Sequence, residues 1–198
     1  MAMVASVSRP GMTTKGSVIR ATIGYLRDIH GGEILERTLA DLDPDTRTGC
    51  ESVGVTDELP YAIACALWES AHRALGAPPD MKWMEAAGAY SIEQTGVQQY
   101  SGIVRKRSPS EFLTQSVSLF QLYYHPGDMQ VVYEAPGCAV LRLVGFDAGT
   151  SLFCARQTGG LRGAILVARG GEPRVRHVRC EFEQDAYCEW ELRWTETG

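Results

Sequence analysis

The stretch Cys180-Glu-Phe-Glu-Gln-Asp-Ala-Tyr-Cys188-Glu-Trp-Glu-Leu-Arg-Trp194 decides the fold of this chain. Cys188, Trp190, Leu192 and Trp194 alternate with Glu189, Glu191 and Arg193. A period of two places one set on each face of a half-buried strand. Arg174 to Phe182 reads as its partner, so a hairpin is expected over Arg174–Phe182 and Tyr187–Thr195. Upstream, Thr150 to Arg169 has the helical period, with Leu152, Phe153, Leu161, Ala164, Ile165 and Ala168 apolar. Gly159, Gly160 and Gly163 lower its helix propensity and permit a kink or a close backbone approach. Before it, Gln130–Glu134 and Ala139–Phe146 read as strands joined through Ala135-Pro-Gly137.

Toward the N-terminus the pattern is helical. Val18, Ile19, Thr22, Ile23, Leu26 and Ile29 recur at helical spacing from Lys15, and Gly31-Gly32 interrupts them. Ile34, Leu35, Leu39 and Leu42 resume the pattern until Pro44 ends it. Residues 60–75 form an amphipathic helix, and 81–90 a shorter one. Ser108-Pro-Ser-Glu111 is a capping box opening a helix that runs to about Tyr124, where His125-Pro-Gly127 stops it. Helices followed by strands with one inserted helix make the class α+β, with an antiparallel sheet and a C-terminal hairpin. Residues 1–13 are expected to be a flexible leader and 14–198 a single domain.

Cys154, His177, Cys180 and Cys188 form the pattern Cys-x22-His-x2-Cys-x7-Cys. Three thiolates and an imidazole complete a tetrahedral, closed shell for a structural zinc ion. The alternative is that the cysteines are small buried hydrophobes. Cys180 and Cys188 flank the hairpin turn. His177 lies three residues before Cys180, so a bulge or turn is needed to bring both to one face. Cys154 sits near a helix N-terminus, which favours a thiolate.

The same four positions resemble the V4R domain, named for 4-vinyl reductase. The chain is also similar to the sensor domains of phenol-responsive bacterial transcription activators. The specific match runs from about residue 150 to 195, and His177 stands where the phenol sensors carry a glutamate. The resemblance implies a fold like that of the haem-nitric-oxide-binding domain and of Bet3-type vesicle-tethering subunits. It also implies Zn²⁺ at the four-residue site and a small hydrophobic or aromatic ligand between helices and sheet. Candidate ligand residues are Trp83, Tyr90, Phe112, Phe120, Tyr123, Tyr124, His125 and Tyr133.

Composition excludes several classes. At 198 residues, 44% hydrophobic and 22% charged, the chain is an ordinary globular protein. A net charge of −5 argues against a general nucleic-acid binder, and Arg105-Lys-Arg107 is the only basic run. No apolar run approaches the roughly 18 residues of a membrane span. Without a secretory signal, reduced thiols and a cytoplasmic location are expected. No nucleophile elbow, phosphate loop, dinucleotide fingerprint or Tyr-x-Ser-x-Arg haem motif is present, so neither an enzyme nor a haem protein is expected.

These residues predict a sensor or regulatory domain, acting as a homodimer through a regulatory protein partner. The alternatives are a Bet3-like interaction scaffold with a filled or lipid-occupied pocket, and an accessory protein of tetrapyrrole or bacteriochlorophyll synthesis.

Overall fold

The computed structural model describes residues 11–96, 109 and 120–196. Of the expected leader, residues 1–10 lie outside these. Met12 is buried, and Thr13–Lys15 forms strand β1. Helix α1 (Gly16–Tyr25) runs into a wide π turn over Leu26–His30, and Gly31 at φ +88° ends it. Helix α2 (Gly32–Ala40) follows. α1 packs inside its own chain, with Val18, Ile19 and Leu26 in the core.

Pro44 is a start as well as a stop. It opens helix α3 (Pro44–Ser52), which the sequence pattern does not announce because the segment is mostly polar. Proline suits this place, since it lacks the N–H that a first turn leaves unpaired. The Asp43 carboxylate accepts from the Asp45 and Thr46 amides at 3.1 and 3.0 Å, capping the helix. Strand β2 (Glu58–Pro60) then leads into helix α4 (Tyr61–Ala74) and helix α5 (Lys82–Ser91). α4 buries Tyr61, Ala64, Cys65, Leu67, Trp68 and Ala71 on one face.

The expected helix from Ser108 lies mostly outside the described residues. Phe120 to Tyr123 are helical, and β3 (Tyr124–His125) follows. β1 pairs with β2 on one side and β3 on the other, a small antiparallel sheet that no strand signal in the sequence predicts. Each strand is only two or three residues long, too short for a visible period of two.

The larger sheet comes from β4 (Asp128–Ala135), β5 (Cys138–Val144), β6 (Gly170–Arg179) and β7 (Glu189–Glu196). It is antiparallel in the order β4-β5-β7-β6. Ala139, Leu141 and Leu143 of β5 turn inward, as do Trp190, Leu192 and Trp194 of β7. Helix α6 (Ser151–Val167) is the inserted helix. It crosses α5 at backbone contact: a methyl at Gly159 would overlap the Glu85 carbonyl, and one at Gly88 the Arg156 carbonyl. The glycines thus serve close approach. Among the described residues the fold is α+β, as expected, and no helix is long and apolar enough to cross a membrane.

Candidate functional site

α6, β6 and the start of β7 converge at the C-terminal hairpin. Thr150 caps α6, accepting from the Leu152 amide, and the first turn carries Cys154 inward, 4% exposed. β6 slips register against β7 between His177 and Arg179. This irregularity is the one that the three-residue spacing of His177 and Cys180 requires. Past it, the loop folds around Cys180: its amide donates to Asp185 Oδ2 at 2.8 Å, and its carbonyl accepts from Glu183 and Asp185 amides. Gln184, at φ +71°, completes the turn. The Leu143 amide donates to the Cys188 carbonyl at 3.0 Å and fixes the start of β7 on β5.

The result is a closed cluster. One donor atom from each of Cys154, His177, Cys180 and Cys188 lies within 4.8 Å of the others. The sulfurs of Cys154 and Cys188 are 3.7 Å apart, far beyond the roughly 2.05 Å of a disulfide. Two thiolates on one tetrahedral ion with metal–sulfur bonds of about 2.3 Å stand at that separation. His177 stacks on the Trp190 indole, centroids 4.6 Å apart and 17° from parallel. The indole is itself held, since Trp190 Nε1 donates to Thr158 Oγ1 and that hydroxyl donates to the Cys154 carbonyl. The imidazole Nε2 is buried and has no hydrogen-bond partner.

The surroundings favour the charged form at Cys188 rather than at the cysteine near the helix N-terminus. The hydrogen bond between the Cys154 and Cys188 sulfurs, with His177 beside it, holds the Cys188 thiol well below the usual range. The same bond, reinforced by burial, pushes Cys154 up. Burial also raises Cys180. The other cysteines behave as packing residues: burial pushes Cys50 up to about 11 and Cys65 up to about 12. Because the reagent must reach the sulfur, native-state alkylation with iodoacetamide is expected to reach half-buried Cys138 before the five buried cysteines. Cys50 and Cys65 should react only on unfolding. Peptide mapping checks the order, and early labelling of Cys65 would contradict it.

Of the expected ligand residues, Tyr123, Tyr124 and His125 line one open cavity with Thr13, Thr14 and Glu58, and the other described ones lie apart from it. Phe120 and Tyr124 join Tyr61, Phe146 and Phe153 in a core of edge-to-face and tilted rings, centroids 4.9 to 6.4 Å apart. Trp83 is buried elsewhere, with Nε1 donating to His72 Nδ1 at 3.2 Å. Tyr90 donates to Asp28 Oδ2 at 2.6 Å beside the π turn. Tyr123 is half-buried, whereas Tyr133 and His125 are exposed. Phe112 lies outside the described residues. The sequence pattern missed Arg156, which is 3% exposed on α6. Its signal was present, because Arg156 falls on the face of Leu152 and Phe153 at helical spacing.

No known family and no curated protein matches this chain. Solved structures do match its fold. One is the Fe(II) unliganded H-NOX protein from K. algicida: 10% identity, TM-score 0.70, covering 92% of this chain and 97% of that one. Another is an H-NOX protein from S. oneidensis in the Fe(II)NO ligation state, with 12% identity, TM-score 0.68 and coverage of 92% and 99%. A third, titled for haem redox potential and porphyrin distortion, has 14% identity, TM-score 0.65 and coverage of 92% and 99%. The expected structural zinc cofactor is corrected on this finding: these neighbours are titled for ferrous iron and haem, and none for zinc. The described residues do not fit haem either. Rings of Tyr61, Phe120, Tyr124, Phe146 and Phe153 fill the interior against one another. None of the four histidines makes a ring contact with that cluster, so no histidine stands beside those rings as an axial ligand. At these identities the fold is what the chain has in common with the H-NOX structures.

Proposed function

We propose that this chain is a non-enzymatic sensor or regulatory domain. It holds a small species within an H-NOX-like fold and passes the bound state to a protein partner as a homodimer. The observation that carries the proposal is the convergence of Cys154, His177, Cys180 and Cys188 from α6, β6 and the hairpin loop. Thiolate and imidazole donors select soft transition-metal ions over magnesium or calcium. The V4R resemblance of residues 150–195 supports the same donor set. An ion there ties α6 to the hairpin, so its presence reports on the relative placement of the two. Which soft ion the donors take is a readout of the experiment.

Elemental analysis of chain purified without chelator tests this. Wild type and Cys65→Ser are expected to carry one transition-metal ion per chain. His177→Ala and Cys180→Ser are expected to lose most of it. Metal content unchanged in both ligand variants would sink the proposal.

The aromatic core favours a second reading, a Bet3-like scaffold whose pocket is filled by its own side chains. Under it the purified chain yields no extractable small molecule, and no aromatic probe shifts its melting temperature. A saturable shift with such a probe would exclude it.

A further inference from the structure

The outer face of the larger sheet gathers arginines. Pairing across β5, β7 and β6 puts Arg142 and Arg179 on either side of Glu189, Arg176 beside Glu191, and Arg174 beside Arg193. These positions alternate with the inward-facing Trp190 and Leu192, so they lie on the side away from the core. Five guanidiniums against two carboxylates make this face positive, in a chain whose net charge is −5. The two carboxylates are already engaged. Glu189 takes Arg142 at 2.8 Å and Arg179 at 3.7 Å, and Glu191 takes Arg193 at 2.6 Å. Asp185 stands at the rim, 3.9 Å from Arg179. Arg174 and Arg176 are exposed and form no ion pair among the described residues. Arg174 also stands directly across from Arg193, a like-charge pair that destabilises a sheet until a counter-charge arrives. Beside them Tyr133 pairs with Val140 on the same face and is 56% exposed.

We propose that this face docks a carboxylate-rich segment of the regulatory protein partner. A guanidinium presents two parallel N–H donors to a carboxylate. Arginine and tyrosine are also the residues that protein interfaces concentrate. A protein segment can space its carboxylates to match Arg174 and Arg176. A nucleic acid carries a phosphate at every nucleotide and would set some of them against Glu189 and Glu191. The proposal rests on the sensor reading, of which it names the partner's chemistry and the surface that meets it. Strand β6 joins the two sites: it turns His177 toward the donor cluster and Arg174 and Arg176 toward the partner.

The probes are a fluorescent peptide of alternating Glu and Ala, its Gln and Ala counterpart, and single-stranded oligothymidylate, read by anisotropy on the full chain. The Glu peptide is expected to bind saturably, about tenfold tighter than the Gln peptide, and to weaken as salt rises from about 50 to about 300 mM. Arg174→Glu combined with Arg176→Gln should weaken it about tenfold. That variant should keep its metal content and melt no lower than wild type, since a carboxylate opposite Arg193 replaces a like-charge pair. Arg37→Glu combined with Lys82→Gln makes the same change in net charge at two exposed positions on α2 and α5, and should leave binding unchanged. Equal loss in both variants would make the effect one of net charge and overturn the proposal. Failure of the Glu peptide to bind, or tighter binding of oligothymidylate, would also overturn it. None of these outcomes touches the sensor reading, which falls instead on unchanged metal content in His177→Ala and Cys180→Ser.

Discussion

Replacing Cys188 by serine is expected to lower the melting temperature by roughly 10 °C. Cys188 is 1% exposed and lies just before β7. Its sulfur takes the Cys154 hydrogen bond at 3.7 Å, His177 favours its charge, and its carbonyl holds the Leu143 amide. Serine keeps the backbone bond but offers a shorter, harder donor with a high pKa, so the proposed soft-ion shell would open. Sites of this kind assemble only on folding, so metal affinity appears as fold stability. For a domain of this size, a loss of about 3 kcal/mol corresponds to roughly 6 to 12 °C. Cys65→Ser, also in the core but remote from the cluster, separates loss of metal from loss of packing. A Cys188→Ser chain that melts within a degree or two of wild type would contradict the account.

Gly159→Ala is expected to destabilise by about 3 kcal/mol or more, because α5 and α6 must separate to admit one methyl. Its Cβ would overlap the Glu85 carbonyl, which is backbone and cannot swing aside. The neighbouring Gly160→Ala supplies the contrast. There the nearest atom is the Gly88 carbonyl oxygen at 3.8 Å, an ordinary contact. In a helix interior, alanine gains about 0.5 to 1 kcal/mol over glycine. The two substitutions should therefore shift chemical-denaturation midpoints in opposite directions. Equal shifts would mean that the helices do not cross at backbone contact. The crossing also matters for the site, since it sets where α6 presents Cys154.

What the sequence made legible follows from the range of each signal. Long periodic segments such as Tyr61–Ala74 and Ser151–Val167 were readable because eight or more residues repeat one pattern. The hairpin was readable from the alternation of Trp190, Leu192 and Trp194. The need for a bulge beside His177 followed from spacing, and the register slip lies there. Short elements were not readable: β1, β2 and β3 exist because three distant segments meet, and pairing between distant segments leaves no local trace. Helix α3 is hard to read because a proline after a helical run signals a stop, while Asp43 before it carries the cap.

The site divides in the same way. The four donors were visible because cysteine and histidine are rare and their spacing is chemical. The ligand residues were chosen as an aromatic stripe, and aromatic residues serve a core and a pocket equally well. The structure sends them to the core, to the Tyr90–Asp28 contact and to the surface. The burial of Arg156 is not legible because a single arginine in a helix usually reaches solvent. Which proton sits on which sulfur was beyond any spacing argument, since it depends on the Cys154–Cys188 contact across two elements.

The most direct test of the central claim is native mass spectrometry of the chain purified without chelator, read before and after denaturation. The account predicts one metal ion per chain under native conditions, released on unfolding, with six free thiols then countable. A native mass equal to that of the polypeptide alone, with Cys154, Cys180 and Cys188 free before denaturation, would contradict it. The four residues would then be a buried thiol cluster within the core.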